Sequence, residues 1–513
     1  MVMVLSEFLP YPLISLLAGA MVVLFAGVLE ERLGQGRTKE ALSVIFIALA
    51  LIGCLILYKD VTSQPLGVMV LSIGAEPPLG ACFEIDLLSV FMTFSVVFLG
   101  LFAVVYSFRY MEHDTRLAEY YSLLLLMMAG MVGVALAGDF FTFFIFWELM
   151  CISSYVLVAF RRELWGPIEA GFKYLTMSAL GGVLIFLGMS LLYGMAGNVN
   201  FAYMSVGIDW GTAGVWAYLA FILLFLGFGI KAAIVPMHTW LPDAHPEAPS
   251  PISAMLSGIV IETGLYGLVR ILFVVFLPNA VLLPRGPETF KYVVAVFSVL
   301  TMTIGNIMAL LQKDIKRLLA YSSIAQVGYM LVGVASGTTY GLLGCFLHVF
   351  NHSLMKGLAF LASGAMVYRI GTRNLDEMKG LGHYMPVTTM ALAISLLGLG
   401  GVPSTNGFVS KFILFGSALA PGVNMWWLTL IGVLNSAFSM AYYLPIIIRL
   451  ITKPAEKSSE LKEAPILMLI PMCIMAILII VFGIYPRPVL QLADSASKAL
   501  IEGLQGYISK VIP

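Results

Sequence analysis

The chain has 513 residues, of which 60% are hydrophobic and 11% charged, with a formal net charge of +0 and a mean hydropathy of +0.98. So little polar surface cannot cover a soluble globule of this length, and balanced charge gives no basic field for nucleic acid. The composition is that of a protein whose solvent is a lipid bilayer.

Apolar runs of about 20 residues, the length that crosses about 30 Å of hydrocarbon as a helix, begin near Tyr11, Ala41, Asp86, Tyr121, Phe140, Gly171, Ala213, Ser253, Lys291, Leu318, Tyr340, Pro386, Trp426 and Ala464. They predict an all-α polytopic membrane protein of about fourteen transmembrane helices. No basic stretch precedes the first run and no small-residue cleavage site follows it, so that span is expected to be retained. Lys and Arg gather in alternate connections: Arg32, Arg37 and Lys39; Arg109 and Arg116; Arg161 and Arg162; Lys313, Lys316 and Arg317; Arg369, Arg373 and Lys379; Arg449, Lys453, Lys457 and Lys462. The other loops carry little beyond Lys59, Arg285 and Lys291. By the positive-inside rule the basic set faces the cytoplasm and both termini face outward across the cell's inner (cytoplasmic) membrane. One basic-side connection, 237–251, holds no Lys or Arg.

Five cysteines, Cys54, Cys82, Cys151, Cys345 and Cys473, stand singly with no Cys-x-x-Cys and no His at ligand spacing. They read as small core residues, with no iron–sulfur cluster, zinc or other cofactor implied. Any redox chemistry must then belong to a partner.

Charge inside the apolar runs is the stronger signal, because an intramembrane ionisable group costs several kcal/mol unless paired or hydrated. Glu148 lies about eight residues into its span, roughly 12 Å deep. Its bland alternative is a protonated, hydrogen-bonded core carboxyl. Lys231 precedes Pro236, and Lys411 follows Gly400-Gly401-Val402-Pro403; helix breakers beside a charge imply freed backbone that lines protein or water. Lys231 and Lys411 each close a Gly-Phe-x-x-Lys string, a weak internal match that an inverted repeat of five spans would produce. A Glu148–Lys231 pair of adjustable separation would be a switchable proton site.

The segment His238 to Pro251 is polar and rich in proline, and reads as an ordered re-entrant loop. His238, Asp243 and His245 could admit protons at the cytoplasmic mouth, with cap and turn duty as the alternative. Glu262 sits deep in Ile259-Val260-Ile261-Glu262-Thr263-Gly264. His348, His352 and Lys356 fall at i, i+4, i+8 on one helical face, a proton-relay stripe. Two His at that spacing also suit zinc, but no third ligand stands at a catalytic distance. Lys173 and Arg270 lie near span ends, where snorkelling competes with function. Asp314 and Lys316 read as a solvated surface cluster.

Phe146-Trp147-Glu148, the stretch Gly229-Ile230-Lys231-Ala232 through His238-Thr239-Trp240-Leu241-Pro242-Asp243-Ala244-His245, and Asn351-His352-Ser353-Leu354-Met355-Lys356 together resemble the antiporter-like membrane subunits shared by complex I, Mrp cation/proton antiporters and membrane-bound hydrogenases. The similarity runs from about Tyr121 to Leu450 and looks closest to the MrpD type. That resemblance implies fourteen helices with two inverted five-helix repeats, broken helices seven and twelve, and a central hydrophilic axis. The organisation would be 1–120 with three spans, repeats at 121–277 and 291–451, and a final span and tail at 464–513. On that pattern Glu148 matches the helix-five glutamate, Lys231 its helix-seven partner and Lys411 the helix-twelve charge at the outward exit. His348, His352 and Lys356 match the helix-eleven link. Glu262 departs from it, standing where many relatives carry Lys or His, which makes a cation ligand more credible at that step. The chain ends at Pro513 without the long lateral helix of the largest members, which argues against the distal, longest type.

The expected function is that of a proton-translocating component of a multisubunit redox complex, a membrane-bound hydrogenase or complex I-like, ferredoxin-linked assembly. Its partners would be other membrane subunits, including small Mrp-like ones, and a hydrogenase-like or iron–sulfur peripheral arm. The alternatives are the MrpD component of an Mrp-type Na⁺/H⁺ antiporter and, from another class, a stand-alone solute transporter.

Overall fold

The computed structural model describes residues 10–33, 36–74, 80–282, 286–453 and 461–512. Arg285 and Lys457 of the charge pattern lie outside these, as does the side chain of Arg32.

Apolar sequence becomes helix here because a helix satisfies every backbone group within its own segment, which hydrocarbon requires. The chain runs α1 (Tyr11–Leu33), α2 (Thr38–Ser63), a hairpin of β1 (Val68–Ile73) and β2 (Ala81–Asp86), then α3 (Leu87–Tyr110), α4 (Leu117–Leu136), α5 (Phe140–Val158), α6 (Trp165–Ala196), α7 (Phe201–Gly207) and α8 (Trp210–Lys231). Next come α9 (Leu241–Glu247), α10 (Ser250–Met255) and α11 (Ile261–Ile271), the last two joined by a π-helical turn; then α12 (Glu288–Leu310), α13 (Ile315–Ser336), α14 (Thr339–Ile370), α15 (Pro386–Gly400) and α16 (Asn406–Ser417). It closes with α17 (Trp426–Ile451), α18 (Ile466–Ile484), α19 (Arg487–Glu502) and α20 (Leu504–Val511).

Among the described residues twelve helices are long and apolar enough to cross a membrane, or up to thirteen if one sharply bent pair counts as a span. Two of the fourteen predicted segments fall short of that test singly. The run near Tyr340 is the 32-residue α14, whose stripe of His348, His352 and Lys356 dilutes its hydropathy. The run from Pro386 stops at Gly400, where Gly401 turns left-handed with φ 81°, and the chain resumes as α16.

Three features were not anticipated. The hairpin pairs Val68 with Asp86 through Ile73 with Ala81, and Asp86 then caps α3 by accepting from the Ser89 N–H at 2.7 Å. The tail forms α19, which buries Val489, Ala493, Ala496 and Leu500, a one-face spacing. The segment read as a loop before Pro251 contains the seven-residue α9. Pro242 and Pro251 occupy first-turn positions of α9 and α10, where a missing N–H costs nothing; proline there starts helices instead of ending them.

The centre of the bundle is α13 and the 250–279 segment, both buried throughout their spans, with α14 beside them. A matched clasp appears twice. Asp139 caps α5 and bridges to Asn200, and Asp314 caps α13 and bridges to Asn374. The Gly-Phe-x-x-Lys match does not follow this recurrence: Gly227 to Lys231 end α8 before its break, whereas Gly407 to Lys411 lie in α16 after a break.

Candidate ion path

Lys231 is the last residue of α8 and is 2% exposed. Its ammonium donates to the Tyr174 hydroxyl at 2.6 Å, the Ser154 hydroxyl at 3.4 Å and the Cys151 sulfur at 3.3 Å, and lies 4.8 Å from the centroid of the Tyr174 ring. Trp240 stacks on that ring, 4.0 Å away and nearly parallel, and its Nε1–H donates to the Ile230 carbonyl at 2.8 Å. The broken backbone after Lys231 is thereby folded back over the lysine's own partner. Glu148 stands one turn from Cys151 on α5, partly exposed, against Gly182 of α6. The two residues expected to pair form no ion pair within 4 Å; Lys231 is held by neutral donors and acceptors instead.

The next station is Glu262. Its Oε1 is 2.5 Å from His352 Nδ1, both residues fully buried. Two acceptor atoms at that distance repel unless a proton lies between them, so the pair shares one. Glu262 Oε2 and His352 Nε2 have no hydrogen-bond partner among the described residues. His348, 6.0 Å from His352 between ring centroids, sits between Ser410 Oγ at 2.8 Å and Gln326 Oε1 at 3.0 Å. Both of its ring nitrogens are engaged in hydrogen bonds.

Gln326 carries the line onward. Its amide donates to the Leu399 carbonyl at 3.1 Å, and Lys411 Nζ donates to the same oxygen at 2.6 Å and to Ser436 at 2.9 Å. Leu399 can accept twice because α15 ends at Gly400. Lys411 also lies 4.6 Å from the Tyr329 ring centroid; both break-associated lysines therefore rest on a tyrosine face, a contact worth about 2 kcal/mol when desolvated. Lys356 points elsewhere, to the Leu319 carbonyl at 2.8 Å and to Ser322, which bonds Tyr443 at 2.5 Å.

The residues expected to admit protons divide. His245 is fully buried and stacked 4.7 Å from Phe360, one turn beyond Lys356, with both ring nitrogens unpartnered among the described residues. His238 is partly exposed, 6.4 Å from Tyr321. Asp243 is engaged by Lys173 at 3.1 Å and Arg317 at 3.3 Å, and Glu247 by Arg373 at 3.1 Å. This explains the one basic-side connection without Lys or Arg: its carboxylates take cations from neighbouring elements. On the same face Asp114 holds Arg161 in two bonds; burial alone would lower the guanidinium's pKa, and the carboxylate reverses this to a net rise.

Two readings change. Lys316 is not solvated; it is 2% exposed, with Nζ on the Ala248 carbonyl at 2.6 Å. Arg270 does not snorkel; it is 1% exposed and bound to Asp86 at 2.6 Å and Glu84 at 3.2 Å. Sequence reasoning missed Tyr174, Gln326, Ser410 and Tyr329. Gln326 alone carried a signal, an amide within the apolar run Ile324-Ala325-Gln326-Val327.

Residues 137–439 match the family described as NADH:quinone oxidoreductase/Mrp antiporter, TM, and residues 76–121 the N-terminal part described for chain 5 of NADH-ubiquinone oxidoreductase, complex I. F(420)H(2) dehydrogenase subunit N of Methanosarcina mazei is 30% identical over 504 residues, 96% of this chain and 98% of that one. NADH-quinone oxidoreductase subunit N of Trichlorobacter lovleyi is 35% identical over 415 residues, 79% and 83% of the two chains. A chain of an archaeal membrane-bound sulfane sulfur reductase superposes with a TM-score of 0.87 at 26% identity, covering 98% of this chain and 99% of its own. A chain of the Mrp complex from Dietzia shares the fold with a TM-score of 0.84 at 24% identity over 97% and 99%. A line of buried Glu, His and Lys through a helical bundle, with these matches across nearly its whole length, makes this chain a member of the NADH:quinone oxidoreductase/Mrp antiporter family of antiporter-like membrane subunits.

Proposed function

We propose that this chain is the proton-translocating, antiporter-like subunit of a redox-driven complex in the cytoplasmic membrane. It works with other membrane subunits and a peripheral arm that carries the redox centres. The observation that carries the reading is the sequence of contacts Glu262–His352, then His348–Gln326–Leu399 carbonyl–Lys411, in which the titratable groups Glu262, His352, His348 and Lys411 are held in line by an amide and a carbonyl.

In mechanism, the shared Glu262–His352 proton passes to the His348 side when a second proton reaches the free carboxylate oxygen. Gln326 and the Leu399 carbonyl hold His348 and Lys411 in register without carrying the proton themselves, and a proton leaving His348 is taken up by Lys411 in its neutral form, over water in the polar axis between them. Lys231, held by Tyr174, Ser154 and Cys151, releases its proton toward Glu262 when Glu148, one turn along α5 from Cys151, changes charge. In this reading Glu148, Lys231, Glu262, His348, His352, Lys356 and Lys411 move the ion, and His238, Asp243 and His245 lie along its entry. The basic connections face the cytoplasm and both termini face outward, supported by their common clustering at one set of helix ends and by the positive-inside rule. The two five-helix units are supported by the repeated Asp–Asn clasp.

The deciding test is transport by the reconstituted complex, with internal pH read by an entrapped dye at graded sodium. Glu262→Gln keeps the hydrogen bond to His352 but not the titratable group, and should stop proton movement at every sodium concentration; Glu262→Lys should restore part of it. Loss of sodium-dependent transport alone would make Glu262 a cation ligand and favour the Na⁺/H⁺ antiporter reading.

A further inference from the structure

On the basic face, Gly36 and Arg37, the start of α2 and the α3–α4 connection line a cavity of about 390 Å³, with Arg37, Lys39, Glu40, Arg109, Glu112 and His113 in its wall. Most of these charges are already satisfied by protein. Lys39 Nζ bonds Glu30 at 2.9 Å. Glu112 takes Arg109, His113 at 3.2 Å and the Tyr368 hydroxyl at 3.4 Å. Two are not. Glu40 is only 7% exposed, yet its Oε2 has no hydrogen-bond partner among the described residues. Arg37, exposed at the rim one turn away, makes no ion pair among the described residues.

A buried carboxylate oxygen is costly without a donor, and an exposed guanidinium at a membrane surface recruits phosphate oxygens. One ligand that meets both needs is a primary ammonium joined by a short linker to a phosphate: the ammonium supplies N–H donors to Glu40 and the phosphate bridges to Arg37, with Arg109 on the same wall. The cavity lies where four spans end, and the helices that flank it present apolar side chains outward, among them Leu29 and Ile45. Acyl chains would run along them, which favours a lipid over a soluble molecule. We propose that this cavity is a phospholipid site specific for headgroups of the primary ammonium–phosphate class.

The test uses the purified complex, delipidated in detergent and titrated with phosphatidylethanolamine, phosphatidylcholine, phosphatidylglycerol or soluble phosphoethanolamine. Retained ligand is counted by native mass spectrometry and the unfolding midpoint is recorded alongside. Phosphatidylethanolamine should be retained severalfold more than phosphatidylcholine, whose quaternary ammonium has no N–H, and than phosphatidylglycerol, which has no ammonium. Glu40→Gln should abolish that preference while retaining residual phosphate binding, and Arg37→Gln should lower retention of every lipid. Arg37 is exposed, so its variant tests the site even if Glu40→Gln fails to assemble. Equal retention of all three lipids, an undiminished preference in Glu40→Gln, or a protein segment found seated in the cavity each overturns the proposal. A response to soluble phosphoethanolamine as strong as to the lipid overturns the lipid assignment.

Discussion

At the residue scale, the arrangement around Lys231 separates two ways a lysine can serve transport. Its ammonium faces two hydroxyls, a thiol and an aromatic ring, none of which needs a fixed charge opposite. Such a site tolerates both protonation states, which a tight buried ion pair does not. Lys231→Arg keeps the charge but cannot deprotonate, so proton transport by the reconstituted complex should fall nearly as far as in Lys231→Met, with assembly retained better in the Arg variant. Full transport in Lys231→Arg would show that only a standing positive charge is used. Glu148→Gln should likewise remove coupled transport without loss of assembled complex. Its carboxylate makes no ion pair whose loss would expose a buried partner, so normal pumping in that variant would mark Glu148 as structural.

At the element scale, close approach at glycine sets the register of α11 against the end of α8. A Cβ at Gly264 would stand 2.7 Å from the Ala232 backbone nitrogen and 3.0 Å from Lys231 Cβ, contacts too short for either helix to accept in place. Gly264→Ala should therefore cost about 1–3 kcal/mol as overpacking, and by displacing Lys231 from Glu262's helix it should reduce transport more than expression; denaturant titration against transport rate separates the two. Elements of this kind were legible to different degrees. Helix-forming runs were readable throughout because hydrocarbon leaves the backbone one solution, and the buried charges were readable because they are costly there. The α9 turn was hidden by its prolines, which break helices in general; here Pro242 occupies the first turn and Pro246 lies inside the short helix. The hairpin was hidden by its brevity, six residues a strand. Ser410 carried no signal for the candidate path, and Gln326 only that of an amide in an apolar run, because such a group in an apolar helix acquires meaning only from what lies across the interface. Lys316 misled because neighbouring charges suggested solvent, when its ammonium is spent on carbonyls of another element.

For the whole molecule, the basic connections converge on one surface through Arg116 to Glu163, Arg161 to Asp114, Arg317 to Asp243 and Arg449 to Asp376. Each exposed pair contributes about 0–1 kcal/mol, so the set cannot hold the fold; its worth is positional. A thiol-specific, membrane-impermeant label should reach Glu163→Cys only from the cytoplasmic side of vesicles and Thr212→Cys only from the other. Labelling of both from one side would refute the orientation.

Asp243 and Glu247 draw cations from α6, α13 and the connection after α14 onto one short helix, and this has a mechanical corollary. These contacts join the two halves of the bundle at one end, so tilting one half against the other there would part them. Transport by rocking would have to tear that seam in every cycle, whereas transport by rotating side chains leaves it untouched. On the proposed relay the frame stays still while side chains turn, and a covalent stitch between the positions of Glu247 and Arg373 should leave the throughput of the reconstituted complex intact.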